Sequence, residues 1–209
     1  MKPFISKTWT VALACLCAGA IAGGAGIAAA SAGGKSKPGV SPFLVHHFAL
    51  LRHWHVRNFS ARATADAYPA AMKLLNNMAD PNDPDNQREG LDVAATQQVS
   101  TPNGPVWVVP GSAGVCVITS LVAHTAGAGC ELNSTLARSG QQSVLVTSTD
   151  VQTGVETLYG IVPNGVSALQ LASTTGPSSS APVVDNAVIA SVSHLRRLAD
   201  GFPDVTLEH

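Results

Sequence analysis

Val106-Trp107-Val108-Val109-Pro110-Gly111-Ser112-Ala113-Gly114-Val115-Cys116-Val117-Ile118 is the stretch on which the fold turns. Val106 to Val109 and Val115 to Ile118 are short apolar runs rich in β-branched residues. Pro110-Gly111 and Gly114 break the chain between them. Runs this short, bounded by turn residues, read as strands and not as helices. The pattern continues downstream. Ser143 to Thr149 carries Val144 and Val146 among polar partners, and Val155 to Val162 carries Leu158, Tyr159 and Ile161. Pro163-Asn164-Gly165 is a turn signal. Val166 to Leu171 alternates, with Val166, Ala168 and Gln170 on one face and Leu169 and Leu171 on the other. Thr174 to Ser180 reads as a Ser/Gly/Pro loop. Val183 to Val192 holds one or two strands about a turn at Asp185-Asn186. A helical turn fits between Glu131 and Gly140. The expectation is a mainly β domain over 96–195, a small antiparallel meander or β-sandwich.

Upstream, the pattern is helical. Ser41-Pro42 offers an N-cap followed by Pro at the first helical position. Phe43, Leu44, His47, Phe48, Leu50, Leu51 and Trp54 then fall on one side at helical spacing, which predicts an amphipathic helix over 41–57. It would pack on the β domain or on a partner. Tyr68-Pro69 opens a second helix through Ala70, Met72, Leu75 and Met78. Asp80 to Asn86 reads as a loop. Residues 33–95 are therefore a linker and helical arm with an acidic loop, and 196–209 a C-terminal tail.

The first 32 residues read as an export signal. Lys2 and Lys7 precede a stretch from Thr8 to Gly34 without a charged residue, whose most apolar part is Trp9 to Cys17. Ala30-Ser31-Ala32 supplies the small residues for cleavage between Ala32 and Gly33. The alternative is an uncleaved signal helix anchoring the chain, since about 20 apolar residues span a bilayer. Its second half is mostly Ala and Gly, and Lys35 and Lys37 weaken the charge asymmetry that would orient it. A lipoprotein would need a Leu-like residue three positions before the modified Cys, and Ala12 stands there before Cys15. Export puts the protein outside the cytoplasmic membrane, secreted or in the cell envelope, with membrane contact only through an uncleaved N-terminus.

Cys15 and Cys17 fall within the signal, so the mature chain keeps Cys116 and Cys130. An even pair in an exported chain reads as a disulfide, with a Cα separation of roughly 4.4–6.8 Å. Charged residues are only 12% and the net charge is −1, so no global field draws nucleic acid. Lys35, Lys37, Arg52, Arg57, Arg62 and Lys73 face only Asp66 between residues 33 and 75, which reads as a solvated arm.

Pro110-Gly111-x-x-Gly114-Val115-Cys116, a second Cys soon after, and Tyr159-Gly160-x-Val162-Pro163-x-Gly165-Val166 together resemble a pattern of small exported bacterial β-domain proteins of uncharacterised function. The resemblance covers roughly residues 105–192. It implies the fold, being made of turns, a bridge and strands, and it carries no activity.

The candidates for chemistry are sparse. His46, His47, His53 and His55 lie in one segment, but no two are three or four residues apart, as ligands sharing a helix face require. His46 and His53 would stand about 10 Å apart along a helix. His53 and His55 would share a face only if extended, so they are weak metal candidates and no metal is expected. The histidines would gain charge on mild acidification. The acidic loop fails the EF-hand template: counted from Asp83, the sixth residue is Arg88 and the twelfth Ala94. His124 lacks a downstream nucleophile motif. Asn58 and Asn133 begin glycosylation sequons. The leading expectation is a non-catalytic binding or structural module without a cofactor. Its partner would be a cell-envelope component or another protein. The alternatives are a secreted hydrolase with dispersed residues, His124, Asp150 and Glu156 first, and a metal-responsive surface protein using the histidines.

Overall fold

The computed structural model describes residues 39–54, 60–122, 125–139, 143–150, 152–199 and 201–209. The signal segment at 1–32, most of the tether, His55 and His124 lie outside these residues. Among the described residues, ten strands form three antiparallel sheets, joined by a few short helices. The first sheet runs in chain order: β1 (Gln97–Thr101), β2 (Gly104–Pro110), β3 (Gly114–Val122) and β4 (Thr125–Leu132). The second has the order β5 (Val144–Thr149), β6 (Val155–Ile161), β9 (Ala187–Ser193). The third is β10 (Val205–Glu208), β7 (Ala168–Leu171), β8 (Ser179–Pro182).

The unbroken apolar run in β2 has a direct cause. A strand covered on both faces has no polar side to show. Val106, Val108, Val115 and Val117 point into one core, and Trp107, Val109, Cys116 and Ile118 into another. The first core is closed by Tyr159, Ile161, Ala187 and Ile189 of the second sheet. The other is closed by helix α3 (Pro69–Met78), whose Ala71, Leu75 and Met78 recur at i, i+4 and i+7. Tyr68 adds an edge-on ring contact to Trp107, with centroids 5.3 Å apart. The far face of the second sheet repeats the device. Leu158, Val188, Ala190 and Val192 pack with Leu169, Leu171 and Ala181 of the third sheet. One helix layer and three sheets thus share three cores.

The helix expected over 41–57 is broken. Helix α1 (Pro42–His47) ends at Phe48, which is extended at φ −122°, ψ 106°, and a 3₁₀ turn follows over Ala49–His53. The cause lies far along the chain. Asn164 Oδ1 accepts from Ala49 N at 2.7 Å, and Asn186 Oδ1 accepts from Leu50 N at 3.2 Å. Asn164 Nδ2 donates to His46 O at 2.9 Å, and Asn164 N to His47 O at 3.1 Å. Two turn asparagines thus take the backbone groups that a continuous helix would have paired internally. The break lets Leu44, Phe48 and Leu51 all enter the core, each fully buried. At about 1.5–3 kcal/mol for each buried side chain, this segment is integral to the fold.

Two other stretches, 80–86 and 196–209, differ from their reading. The loop at 80–86 gives way to helix α4 (Pro84–Glu89), because Asp83 caps Asp85 N and Asn86 N and Gly90 closes the helix at φ +62°. Helix α2 (Ala61–Ala67) is capped by Ser60. The Ala126–Gly129 stretch is the interior of β4, and its small residues leave room for Val146 against Gly129. The C-terminal tail supplies β10, whose Val205 and Leu207 cover the third core. Helix α5 (Asn133–Ser139) occupies the stretch read as a helical turn.

Candidate functional site

Two places bring polar groups together. The first is an open cleft of about 470 Å³ lined by residues of all three sheets. Ser120 of β3, Thr157 of β6, Ser191 of β9 and Ser179 and Ser180 of β8 line it, with Asn103 from the β1–β2 turn. Asn103 is held by a bond from Nδ2 to Ile189 O at 2.7 Å. Thr157 and Ser191 share a hydroxyl hydrogen bond at 2.9 Å. The lining is hydroxyls and an amide on an apolar floor of Ala181, Ile189 and Ala190, and it holds no titratable side chain.

The second place is the end of α4 against the β2–β3 turn. Cys116 and Cys130 face each other in the β3–β4 register and are joined as a disulfide. Their Cα atoms are 4.0 Å apart, closer than expected, because they are direct cross-strand neighbours. Glu89 ends α4 beside them, and its side chain is wholly buried. A carboxylate oxygen of Glu89 and the two sulfurs lie within 4.8 Å of one another. The glycines of the turn make this approach feasible. A side chain on Gly111 would strike the backbone of Glu89 and Gly90, and one on Gly114 would strike the Glu89 side chain. Ala113 N donates to Glu89 O at 2.9 Å.

Glu89 is incompletely paired. Arg88 Nε donates to Oε1 at 2.5 Å, whereas Oε2 has no hydrogen-bond partner. Burial pushes the Glu89 carboxyl above the usual carboxylate range, more than the adjacent Arg88 guanidinium pulls it down. With both cysteines oxidised, the sulfurs have no thiolate to offer a metal. The sequence reading missed Glu89. Its signal was the pair of helix caps, Asp83-Pro84 and Gly90, set before two glycines that have no other evident use.

The sequence candidates fall elsewhere. His46 is exposed, and its ring meets His47 edge-on at 5.5 Å. His47 stacks on Phe43 at 4.1 Å, with its Nδ1 3.0 Å from Phe43 O. His53 is exposed on the 3₁₀ turn. Among the described residues, no histidine joins a group of three metal-ligating side chains. Asp150 opens the β5–β6 turn. The Gln152 N–H and the Thr153 hydroxyl hold its carboxyl below the usual range. Glu156 pairs with Arg197 and accepts from Leu195 N at 3.0 Å, tying β6 to the chain after β9. Asp150 and Glu156 thus serve a turn and an inter-strand tie. No family model, no curated protein and no solved structure matches the chain.

Proposed function

We propose that the chain is an exported, non-catalytic binding module of the cell surface or extracellular space, and that it holds an uncharged, hydroxyl-rich ligand such as a neutral envelope polysaccharide. The hydroxyl and amide lining of the cleft between the three sheets carries this reading. A site without titratable groups has no acid, base or nucleophilic couple to offer, but its donors and acceptors suit sugar hydroxyls. Export is supported by the Lys2 to Ala32 pattern, by the resemblance to exported bacterial β-domain proteins, and by a disulfide, which persists in oxidising compartments.

The test is co-sedimentation of the mature chain with insoluble neutral polysaccharides, with chitin and peptidoglycan alongside. Wild-type protein should pellet with at least one, and Ser191→Glu should pellet at least tenfold less. No pelleting with any polymer, or equal pelleting of the variant, would remove the cleft from the account. Soluble sugar released from the pellet would favour the hydrolase. Intact mass of exported protein should place the new N-terminus at Gly33, and retained Met1 on membrane-bound protein would favour the anchor.

A further inference from the structure

We infer that the Cys116–Cys130 bridge is a thiol–disulfide exchange site in which Cys130 is the attacked sulfur and Glu89 supplies the proton to the departing Cys116. Three observations on one corner of the fold lead here. Cys116 is a fully buried residue and Cys130 a half-buried one, which assigns the attack to Cys130. Glu89 places a carboxyl oxygen within 4.8 Å of both sulfurs. Its side chain has no exposure, and Oε2 has no partner there. An acid held dry beside a disulfide costs stability, and Arg88 pairs only one of its two oxygens.

The chemistry balances with a dithiol as reductant. One thiolate of the dithiol attacks Cys130 Sγ, forming a mixed disulfide and breaking the Sγ–Sγ bond. The electron pair of that bond leaves on Cys116 as a thiolate. Burial disfavours a thiolate as it does a carboxylate. Protonated Glu89 gives its proton to Cys116 and becomes the carboxylate, beside the Arg88 guanidinium that already donates to it. The second thiol of the reductant, as thiolate, then attacks the reductant's own sulfur in the mixed disulfide and releases Cys130 as a thiolate; Cys130 and Glu89 each take a proton from water, replacing the two the dithiol gave up. The dithiol is oxidised to a disulfide and the chain is reduced to two thiols. Asp85 and Arg88 on α4 and Glu131 on β4 complete the charges around the pair. Burial dominates the Glu89 titration, so the acid stays protonated into a range where an exposed glutamate does not.

The experiment follows reduction of the full mature chain by dithiothreitol. Free thiols are counted by alkylation and mass, and rates are divided by the thiolate fraction of the reagent. At pH 5 the wild type should exceed Glu89→Gln on the order of tenfold to a hundredfold, the two converging by pH 9. The wild-type rate per thiolate should therefore fall as pH rises, and the variant should stay level. A level wild-type profile overturns the proposal whether or not the variant folds. With glutathione in place of the dithiol, peptide mapping should find the mixed disulfide on Cys130. Adducts mainly on Cys116 overturn the order of attack. Neither result depends on what the cleft binds.

Discussion

Glu89 sets a pH dependence of stability through its burial. Its folded-state pKa is raised, so folding favours the protonated form. Below the unfolded value both states hold the proton and the residue is neutral in effect. As pH rises through that value the unfolded chain ionises first, and the native state loses stability until the folded pKa is passed. Glu89→Gln removes this term. The melting temperature of the variant, measured against wild type, should therefore move in the variant's favour as pH rises above about 4. A gap that stays constant with pH would show that Glu89 does not titrate as its burial requires. Gly160 is a second single-residue control point. It lies in β6, opposite Leu145, and a Cβ there would overlap the Val144 carbonyl oxygen. Gly160→Ala must push β5 away from β6, which should cost about 1–3 kcal/mol or more in urea unfolding. This gives the Tyr159-Gly160 pair of the sequence pattern a packing cause.

At the scale of elements, the asparagines of two turns act as one clasp. Asn186 sits at φ +65° and donates from Nδ2 to Val162 O at 3.0 Å and to Asn164 Oδ1 at 3.1 Å. Asn186→Gly keeps the turn conformation and loses these bonds, at about 2–3 kcal/mol by usual hydrogen-bond values. Asn186→Ala should cost about 1–2 kcal/mol beyond that, for the left-handed backbone. Equal losses in both variants would mean that only the side chain matters. Asn164→Ala should speed amide exchange of Ala49, whose N–H it holds. The strands around Val106–Ile118 and Val155–Leu171 were legible because their apolar runs and turn residues agree. The break at Phe48 was not, since its cause lies 115 and 136 residues away. Helix α4 was hidden by the Asp/Pro/Asn composition of its cap. Strand β10 was hidden because Val205 and Leu207 have no sequence neighbour to show where they pair. The bridge was readable from the cysteine count, but Glu89 was not, because burial of a single carboxylate leaves no periodic trace.

At the scale of the whole molecule, the bridge fastens the face of the first sheet that carries α3. Cys116 and Cys130 are 14 residues apart, and a loop of that size is worth about 3 kcal/mol in the chain-entropy view. Replacing both by Ala should lower the melting temperature by about 6–12 °C while leaving the β signal in circular dichroism. Non-reduced mature protein in denaturant should show no free thiol. An unchanged melting temperature would mean that the cores hold the sheets without the bridge. The asparagine clasp also sets a timetable for synthesis. Leu50 is made early, but its partner Asn186 comes 136 residues later. At ribosomal speeds of about 5–20 residues per second, that is a wait of roughly 7–27 s. During that interval Leu44, Phe48 and Leu51 lack Ala187 and Ile189, which close their core. Residues 46–50 are thus held by two turns that are made long after them.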